Sequence, residues 1–267
     1  MSLHFDIETI ELAALSDLHA IAHCQGIAAA RYRQETLGAL TLSLAPHEPQ
    51  CLELNRALGM GGREPISFDA IMDVVDCYRA AGIPNFLLHV DDRRATPDCL
   101  RWLSEAGLAA RRRWVSFTRP PLPAPPITSA FTVEEIDSLH ADAFARIGGY
   151  CFSLSESLQP LLAGLINRPN WHVFMAFEKE RPVAGAALYV RDGIAWFDWA
   201  ATDPVMRRMG AHQALLAARI DAANALGCRL MVTMVGEDVP SRPQPAFHNV
   251  ERAGFKPVFS RANYAPK

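Results

Sequence analysis

Short polar turns divide the second half of the chain into apolar blocks, and this pattern predicts a mixed sheet with helices. Two polar turns, 178–182 and 191–193, separate three apolar strands in the manner of consecutive β-hairpins. After the third strand, apolar residues recur at helical spacing through 211–226. The predicted elements are a strand at 128–133, a helix at 133–145, strands at 171–178, 183–190 and 194–202, a helix at 211–226, a strand at 229–235, a helix at 246–253 and a final strand. This order predicts an α/β fold with helices on the faces of a mixed sheet.

The first half of the chain repeats the end of this pattern. Each half contains a helix that ends at a glycine, an apolar strand, a polar loop, a short helix that ends at a second glycine, and a strand. In the first half the longer helix is predicted over 67–81, with Ser67 as its N-cap. Glycine favours the left-handed conformation that ends many helices, so these positions predict helix C-termini. The paired glycines, Gly82 with Gly107 and Gly227 with Gly254, lie 25 and 27 residues apart. We interpret the repeat as an internal duplication.

A proline-rich segment predicts where the two copies meet. Five of the seven residues at 120–126 are proline, and such a segment can continue neither a helix nor a central strand. We therefore predict a first domain at 1–119, a connector at 120–126 and a second domain at 127–267.

Composition narrows the classes of protein that the chain could represent. Half of the 267 residues are hydrophobic, which excludes a disordered scaffold, and the formal net charge of -3 provides no general basic field for nucleic acid. The six cysteines are scattered singly, and no apolar run approaches the roughly 18 residues of a membrane span. Acidic residues near the N-terminus do not fit a signal peptide. We expect a soluble cytoplasmic protein without nucleic-acid or membrane partners.

The junction between the strand at 194–202 and the helix at 211–226 has the character of a phosphate-binding site. Arg207 and Arg208 add positive charge, and Gly210 allows close approach of a ligand to the first turn of the helix. The unpaired N–H groups of that turn favour an anion such as pyrophosphate. A solvated turn before a surface helix is the alternative interpretation of the same residues.

The junction resembles the signature of the GNAT superfamily of acyl-CoA-dependent N-acetyltransferases, Pro-x-x-Arg/Gln-x-x-Gly-x-Gly/Ala at the start of a helix. Pro204, Arg207 and Gly210 match in register, whereas His212 replaces the usual small residue. The order of elements in the second half, with Gly254–Phe255 before the last strand, is also similar to that family. The resemblance implies two GNAT-like domains in tandem, the second of which binds acetyl-CoA as co-substrate.

The resemblance also implies which residues bind the cofactor. Backbone groups of the fourth strand would pair with the pantetheine arm, and the signature loop would hold the pyrophosphate, with a polar group offered by the last helix. The implied residues are Ala200, Ala201, Thr202, Arg207, Arg208, Met209, Gly210, Ala211, His212 and Asn249.

Acetyl transfer to an amine needs a base, because the amine is mostly ammonium at neutral pH. Asp198, a carboxylate on an otherwise apolar strand, is the candidate base, and its rivals are Glu237, Asp238 or a water relay. Many family members use a tyrosine as acid four residues before the Gly-Phe pair, where this chain has Val250. Tyr264 on the closing strand is the candidate substitute.

The first half resembles a degenerate copy of the family. Residues 56–61 fit Arg-x-x-Gly-x-Gly, but Pro65 and the Ser67 cap separate them from the next helix, so we expect no phosphate cradle there. The triple arginine at 111–113 is interpreted as solvated charge or, second, as a site for an anionic partner. His19 and His23 have the spacing of metal ligands but lack a third ligand, so no metal is expected.

Together these residues predict an N-acetyltransferase that acts on a primary amine of a small molecule or peptide. A protein that binds acyl-CoA without turnover and a transferase that uses another acyl donor are the alternatives.

Overall fold

A computed structural model of the chain describes residues 3–24, 32–60 and 65–267. The first part contributes three helices and six strands to this description. They are α1 (Leu3–Cys24), β1 (Arg33–Leu37), β2 (Leu40–Leu44), β3 (Arg56–Met60), α2 (Phe68–Ala80), β4 (Leu87–Asp91), α3 (Pro97–Glu105), β5 (Leu108–Ala110) and β6 (Trp114–Arg119). The Ser67 hydroxyl accepts a hydrogen bond from the backbone N–H of Ala70, which confirms the predicted N-cap of α2.

The second part repeats this order of elements. It contains β7 (Thr132–Glu135), α4 (Ala141–Phe152), α5 (Gln159–Ala163), β8 (Trp171–Glu178), β9 (Arg181–Arg191), β10 (Ile194–Thr202), α6 (Ala211–Ala225), β11 (Leu230–Gly236), α7 (Pro245–Arg252) and β12 (Lys256–Pro266). The strands at 171–178 and 194–202 have the predicted bounds. The four glycines that mark the repeat all have positive φ, between 70° and 88°, as the predicted helix ends require.

The helix predicted over 133–145 is wrong in its first part. Val133 belongs to β7, which pairs antiparallel with β8 through Thr132–Phe177 and the residues that follow. The Asp137 side chain then accepts a hydrogen bond from the N–H of Leu139 and caps a short 3-10 turn that precedes α4. The strand therefore lies later in the sequence than the apolar pattern indicates, and the helix begins later as well.

All described strands form one mixed sheet. Its order is β1-β2-β3-β4-β12-β6-β11-β10-β9-β8-β7, with β5 paired to β12. Two neighbouring pairs are parallel, β3 with β4 and β10 with β11, and they occupy the same place in each half of the repeat. The fold is thus a mixed α/β sheet that contains the same arrangement of strands twice.

The last strand of each half lies among the strands of the other half. β6, from before the proline-rich segment, pairs with β11, whereas β12 at the end of the chain pairs with β4. β6 and β12 also pair with each other at the centre of the sheet. The division into domains 1–119 and 127–267 stays a prediction, since each of these segments completes the sheet of the other.

Helices cover both faces of the sheet. Apolar residues of α1, α4 and α5 pack together on one face, while α6 and α7 pack over the second half and α2 and α3 over the first half on the other. Side chains alternate between the two faces along each strand: Trp196 packs with α1 and α4, and its neighbour Phe197 packs with α6.

A buried ion triad joins the two halves on the face that α1 covers. Glu11 of α1 is 1% exposed and accepts hydrogen bonds from Arg56 of β3 at 2.9 Å and from Arg261 of β12 at 2.5 Å. Both arginines are themselves buried. Because one carboxylate serves two guanidinium groups from different halves, its removal leaves two buried cations without a counter-charge.

Glu11→Gln should therefore lower the free energy of unfolding by about 3–5 kcal/mol, the usual loss when one member of a buried ion pair is removed. Denaturant unfolding would measure it. Asp76→Asn is the matched control, because Asp76 pairs with Arg79 on the exposed surface of α2 and should contribute less than about 1 kcal/mol. Equal stability losses in the two variants would contradict the role assigned to Glu11.

Candidate functional site

The parallel strands β10 and β11 separate halfway along their length. They pair from Ile194–Leu230 to Phe197–Thr233, where the Thr233 hydroxyl also donates to the carbonyl of Phe197 at 3.2 Å. Beyond this point the pairing of β10 with β9 shifts register at a bulge between Asp198 and Ala201, whereas β11 continues along β6. The two strands therefore leave a gap in the sheet, bordered by an edge of β10 that β11 does not cover.

A cavity of about 300 Å³ fills this gap, and we call it the groove. Residues from both faces of the sheet and from both halves of the chain line it. They include Leu18, Glu53, Arg56, Arg112, Trp114, Phe152, Trp196, Asp198, Trp199, Ala200, His212, Arg219, Thr233, Gly236 and Val250. The groove therefore passes through the sheet and connects the side of α6 with the side of α1.

The residues expected along the pantetheine arm lie on the exposed edge of β10. Ala200 lines the groove, and the buried Ala201 pairs with Gly185 of β9 on the opposite edge. The carbonyl of Thr202 accepts hydrogen bonds from Arg207 Nε at 3.4 Å and from Cys151 Sγ at 3.5 Å. The edge of β10 beside Ala200 is thus not paired with β11, and Arg207 reaches back to the end of the strand.

The loop after β10 leaves the start of α6 open. Gly210 is the N-cap, has φ of 94° and contributes no side chain to the cap. Arg207, Arg208 and Met209 before it are exposed, and Arg208 has a left-handed φ of 65°. In contrast, the Ser67 hydroxyl occupies the start of α2 in the first half. The first N–H groups of α6 and the arginines therefore lie together, and we call residues 207–211 the anion-binding turn, after the role that stays a prediction for them.

His212 and Asn249 are brought together beside the groove. Asn249 Nδ2 lies 3.1 Å from His212 Nδ1, which joins α7 to the first turn of α6. Burial and, to a smaller extent, the charge of Arg219 lower the pKa of His212 to about 4, so this ring is neutral at pH 7. His212 therefore adds no charge to the anion-binding turn; it lines the groove, and Asn249 contacts its ring.

Asp198 lies in the groove at the start of the bulge. Its carboxylate accepts hydrogen bonds from Trp196 Nε1 at 3.0 Å and from the backbone N–H of Trp199 at 2.8 Å. Trp199 has a left-handed φ of 49°, a strained conformation for this residue. The carboxylate therefore stabilises the turn of the backbone that opens the sheet, and its role as a base stays a prediction.

Arg219 is a buried cation that the sequence analysis missed. It lies on α6, is 1% exposed and donates to the carbonyls of Leu215 at 3.1 Å, Ala187 at 3.0 Å and Asp198 at 3.5 Å. Burial lowers the pKa of its guanidinium to about 9, and Asp198 partly opposes this shift. Arg219 thus ties α6 to β9 and to the bulge of β10.

The structure does not bring Tyr264 to the groove. Its side chain packs in the core of the first half, where β12 pairs with β4. Burial raises the pKa of its hydroxyl. The acid role predicted for Tyr264 therefore gains no support from its position, and Val250, at the position where the family often has tyrosine, lines the groove instead.

The rival carboxylates after β11 are engaged with other groups. Glu237 accepts a hydrogen bond from the backbone N–H of Arg113 at 3.0 Å. Asp238 accepts one from the N–H of Gln244 at 2.5 Å and pairs with His248 at 3.0 Å. Neither lines the groove.

Three groove residues from the first half were not identified from the sequence: Glu53, Arg56 and Arg112. Arg56 lies within β3 and pairs with Glu11, so it does not belong to a glycine-rich phosphate loop. Gly61, the last residue of the Arg-x-x-Gly-x-Gly match, is outside the described residues. Of these three residues, only Arg112 lies in a segment that the sequence analysis connected with a ligand, the arginine run at 111–113, as a possible site for an anionic partner.

Other features of the described residues do not form a metal site or a membrane span. Residues 3–24, 32–60 and 65–267 contain no cluster of three or more potential metal ligands. His19 stacks on Tyr32, and burial lowers its pKa to about 3. Within the same residues, no helix is long and apolar enough to cross a membrane.

The second half of the chain matches a known protein family. Residues 134–255 match the sequence model of the Acetyltransferase (GNAT) family. This segment contains β10, the anion-binding turn, α6 and most of the groove lining from the second half. No curated protein matches the chain in sequence.

Solved structures share the fold over most of the chain. A GCN5-related N-acetyltransferase from Kribbella flavida is 20% identical, with a TM-score of 0.62 over 92% of this chain and 93% of that chain. A GCN5-related N-acetyltransferase from Sphaerobacter thermophilus is 14% identical, with a TM-score of 0.62 over 86% and 81%. A tandem GNAT protein from the clavulanic acid biosynthesis pathway is 12% identical, with a TM-score of 0.58 over 85% and 77%. The similarity confirms the predicted fold over most of the chain.

Arg219→Met should lower the free energy of unfolding by at least about 2 kcal/mol, because it leaves buried carbonyl groups without donors. Arg79→Met is the control, since Arg79 is exposed on α2 and pairs with Asp76. Thermal or denaturant unfolding would compare them, and equal stabilities of the two variants would contradict the anchoring role of Arg219.

Proposed function

We propose that this chain, whose residues 134–255 form a domain of the Acetyltransferase (GNAT) family, transfers an acetyl group from acetyl-CoA to a primary amine of a small molecule or peptide. Family membership implies acyl transfer from an acyl-CoA. The proposal adds that the donor is acetyl-CoA and that the acceptor is a primary amine.

The observation that carries the proposal is the gap between β10 and β11. It ends next to the anion-binding turn, so one ligand could lie along the open edge of β10 with its phosphates at α6. The ligand that fits combines an extended amide-containing arm with a pyrophosphate, and acetyl-CoA has both. Ala200, Ala201 and Thr202 would pair with the arm, and Arg207, Arg208, Met209, Gly210, Ala211 and His212 would surround the phosphate end, with Asn249 behind His212.

The groove also supplies groups for the acceptor. Asp198 and Glu53 place two carboxylates in the same cavity, and Trp114, Trp196 and Phe152 surround them with apolar surface. A carboxylate there can take the proton of an ammonium, which makes the amine nucleophilic. We assign no side chain to protonate the leaving thiolate, since Val250 has no ionisable group and Tyr264 lies elsewhere.

We propose one cofactor site per chain. In the first half, the Ser67 side chain caps α2, and Arg56 is held in β3 by the buried Glu11. The first half therefore has neither the open helix start nor the exposed arginine that the second half offers.

The six cysteines are free thiols in the structure, which supports the proposed cytoplasmic location.

Arg207→Glu should raise the dissociation constant for acetyl-CoA at least about tenfold, because it reverses a charge beside the proposed pyrophosphate. Isothermal titration calorimetry would measure it. Arg191→Glu is the control, since Arg191 is exposed at the β9–β10 turn, at the other end of the strand. Unchanged affinity of the Arg207 variant would contradict the phosphate assignment.

Release of free thiol from acetyl-CoA tests turnover directly. We expect release that depends on an added amine, measured across amino acids, polyamines, aminoglycosides and peptides, with formation of the acetylated amine confirmed by mass spectrometry. Binding of acetyl-CoA without amine-dependent release would favour a non-catalytic acyl-CoA-binding protein. No binding at millimolar acetyl-CoA would contradict the whole proposal.

A further inference from the structure

A second cavity opens from the groove toward solvent. It has a volume of about 590 Å³, and we call it the mouth. The mouth and the groove share Glu53, Arg112, Trp114 and Phe152, so the two cavities adjoin each other. Since the proposed acetyl-CoA site lies along β10 and at the start of α6, the mouth is the free route for the acceptor.

The mouth is rich in arginine. Arg111, Arg112 and Arg242 line it, and Arg111 donates to the carbonyl of Pro266 at 2.9 Å. Burial lowers the pKa of Arg112, and the charge of Arg242 lowers it further. Arg112 and Arg242 are thus close enough for their like charges to repel each other, and a bound anion would relieve this repulsion.

Arg112 is held in place by the backbone of β11. Its Nη2 donates to the carbonyl of Glu237 at 2.8 Å, while its guanidinium covers Gly236 so closely that a Cβ there would lie 2.4 Å from Cζ. Its Nε is buried and has no hydrogen-bond partner among the described residues. A guanidinium held in this way presents a fixed cationic donor to the mouth, which Arg112 lines.

The nearby carboxylates do not use this donor. Glu237 and Asp238 are close enough to favour the charged form of Arg112, but the Glu237 carboxylate bonds to the Arg113 backbone. Asp238 bonds to Gln244 and His248. The contact between Arg112 and Glu237 is to the carbonyl, so no carboxylate among the residues that the structure describes is hydrogen-bonded to the Arg112 guanidinium.

Glu53 lies where the mouth meets the groove. Burial raises the pKa of its carboxyl, and the charge of Asp198 adds to this effect, while Arg56 and the Cys51 thiol oppose it. The carboxylate accepts a hydrogen bond from its own backbone N–H and a long one, at 3.7 Å, from the Cys51 thiol. A half-buried carboxylate whose side-chain partner is a thiol can still receive an ammonium group.

We propose that the acceptor amine carries an anionic group, which binds Arg112 and Arg242 in the mouth while its ammonium group lies against Glu53. The inference rests on the proposed function and specifies its substrate class. A carboxylate and a phosphate share the required chemistry, since both accept hydrogen bonds from guanidinium groups.

In this arrangement the ammonium gives one proton to the Glu53 carboxylate. The nitrogen lone pair then forms a bond to the thioester carbonyl carbon, and the C–S bond breaks with its electron pair on sulfur. A second proton of the nitrogen goes to the thiolate, which yields the free thiol and the neutral amide. Glu53 finally releases its proton to solvent through the mouth, so the protein returns to its starting state.

Matched acceptors test the substrate class. The amines compared are L-amino acids and ω-amino acids of increasing length against their carboxamides, and O-phosphoethanolamine against ethanolamine. We expect kcat/KM for thiol release to be at least about tenfold higher for the best anionic acceptor than for its neutral counterpart. The series, carboxylate or phosphate, that shows the larger ratio of kcat/KM between anionic and neutral acceptors identifies the anionic group that the site binds.

Substitutions of Arg112 and Arg242 test whether these residues bind the anionic group of the acceptor. Arg112→Met should lower kcat/KM for the anionic acceptor at least about tenfold, mainly through KM, and should lower it several-fold less for the neutral counterpart. Arg242→Met, at an exposed position, should act in the same direction if Arg112→Met does not fold. Arg113→Met is the matched control, because Arg113 pairs with Asp92 and lines neither cavity.

Glu53→Gln tests the amine end of the site. It should lower kcat at least about a hundredfold while leaving the affinity for acetyl-CoA within about twofold. Full activity of this variant would overturn the assignment of Glu53.

Equal rates with anionic and neutral acceptors, or equal losses with both in Arg112→Met, would overturn the anionic substrate class and leave the acetyltransferase standing. The absence of thiol release with every acceptor, despite binding of acetyl-CoA, would overturn the proposed function as well. The two failures are therefore distinguishable.

Discussion

Strands β10 and β11 run parallel for four residue pairs and then separate, because β10 bulges after Asp198 and β11 follows β6 instead. Two parallel strands in a sheet normally satisfy each other's backbone groups along their whole length. Here β11 does not pair with the end of β10, which leaves that edge of the strand open beside Ala200. The groove, the approach to α6 and the route from the mouth all depend on this separation.

The exchange of final strands makes the groove a property of both halves. β6 comes from before the proline-rich segment, yet it supports β11 beside the gap and brings Arg112 and Trp114 to the groove. The Glu11 triad fixes β3 and β12 against α1 on the same face. The first half therefore contributes residues to the cavity in which the acceptor is proposed to bind.

Local sequence was sufficient for several strand and helix bounds in the second half and for one helix cap in the first. The strand at 194–202, the start of α6 at residue 211 and the Ser67 cap depend on neighbouring residues, so their patterns predicted them. The position of β7 was missed because its strand character comes from pairing with β8, a contact between distant segments. Glu53 and Arg112 reach the groove only through the order of strands in the sheet, and a linear pattern does not contain that order. Tyr264 was chosen for its place on the closing strand, but β12 pairs with β4 and carries it into the other half.

The crystal structure of the chain with acetyl-CoA would test the central claim most directly. The account predicts one molecule per chain, with its pantetheine arm along the β10 edge at residues 198–202 and its pyrophosphate at the first N–H groups of α6. The acetyl group would lie in the groove between Asp198 and the residues of the first half. A molecule bound at the start of α2, or one outside the gap between β10 and β11, would contradict it.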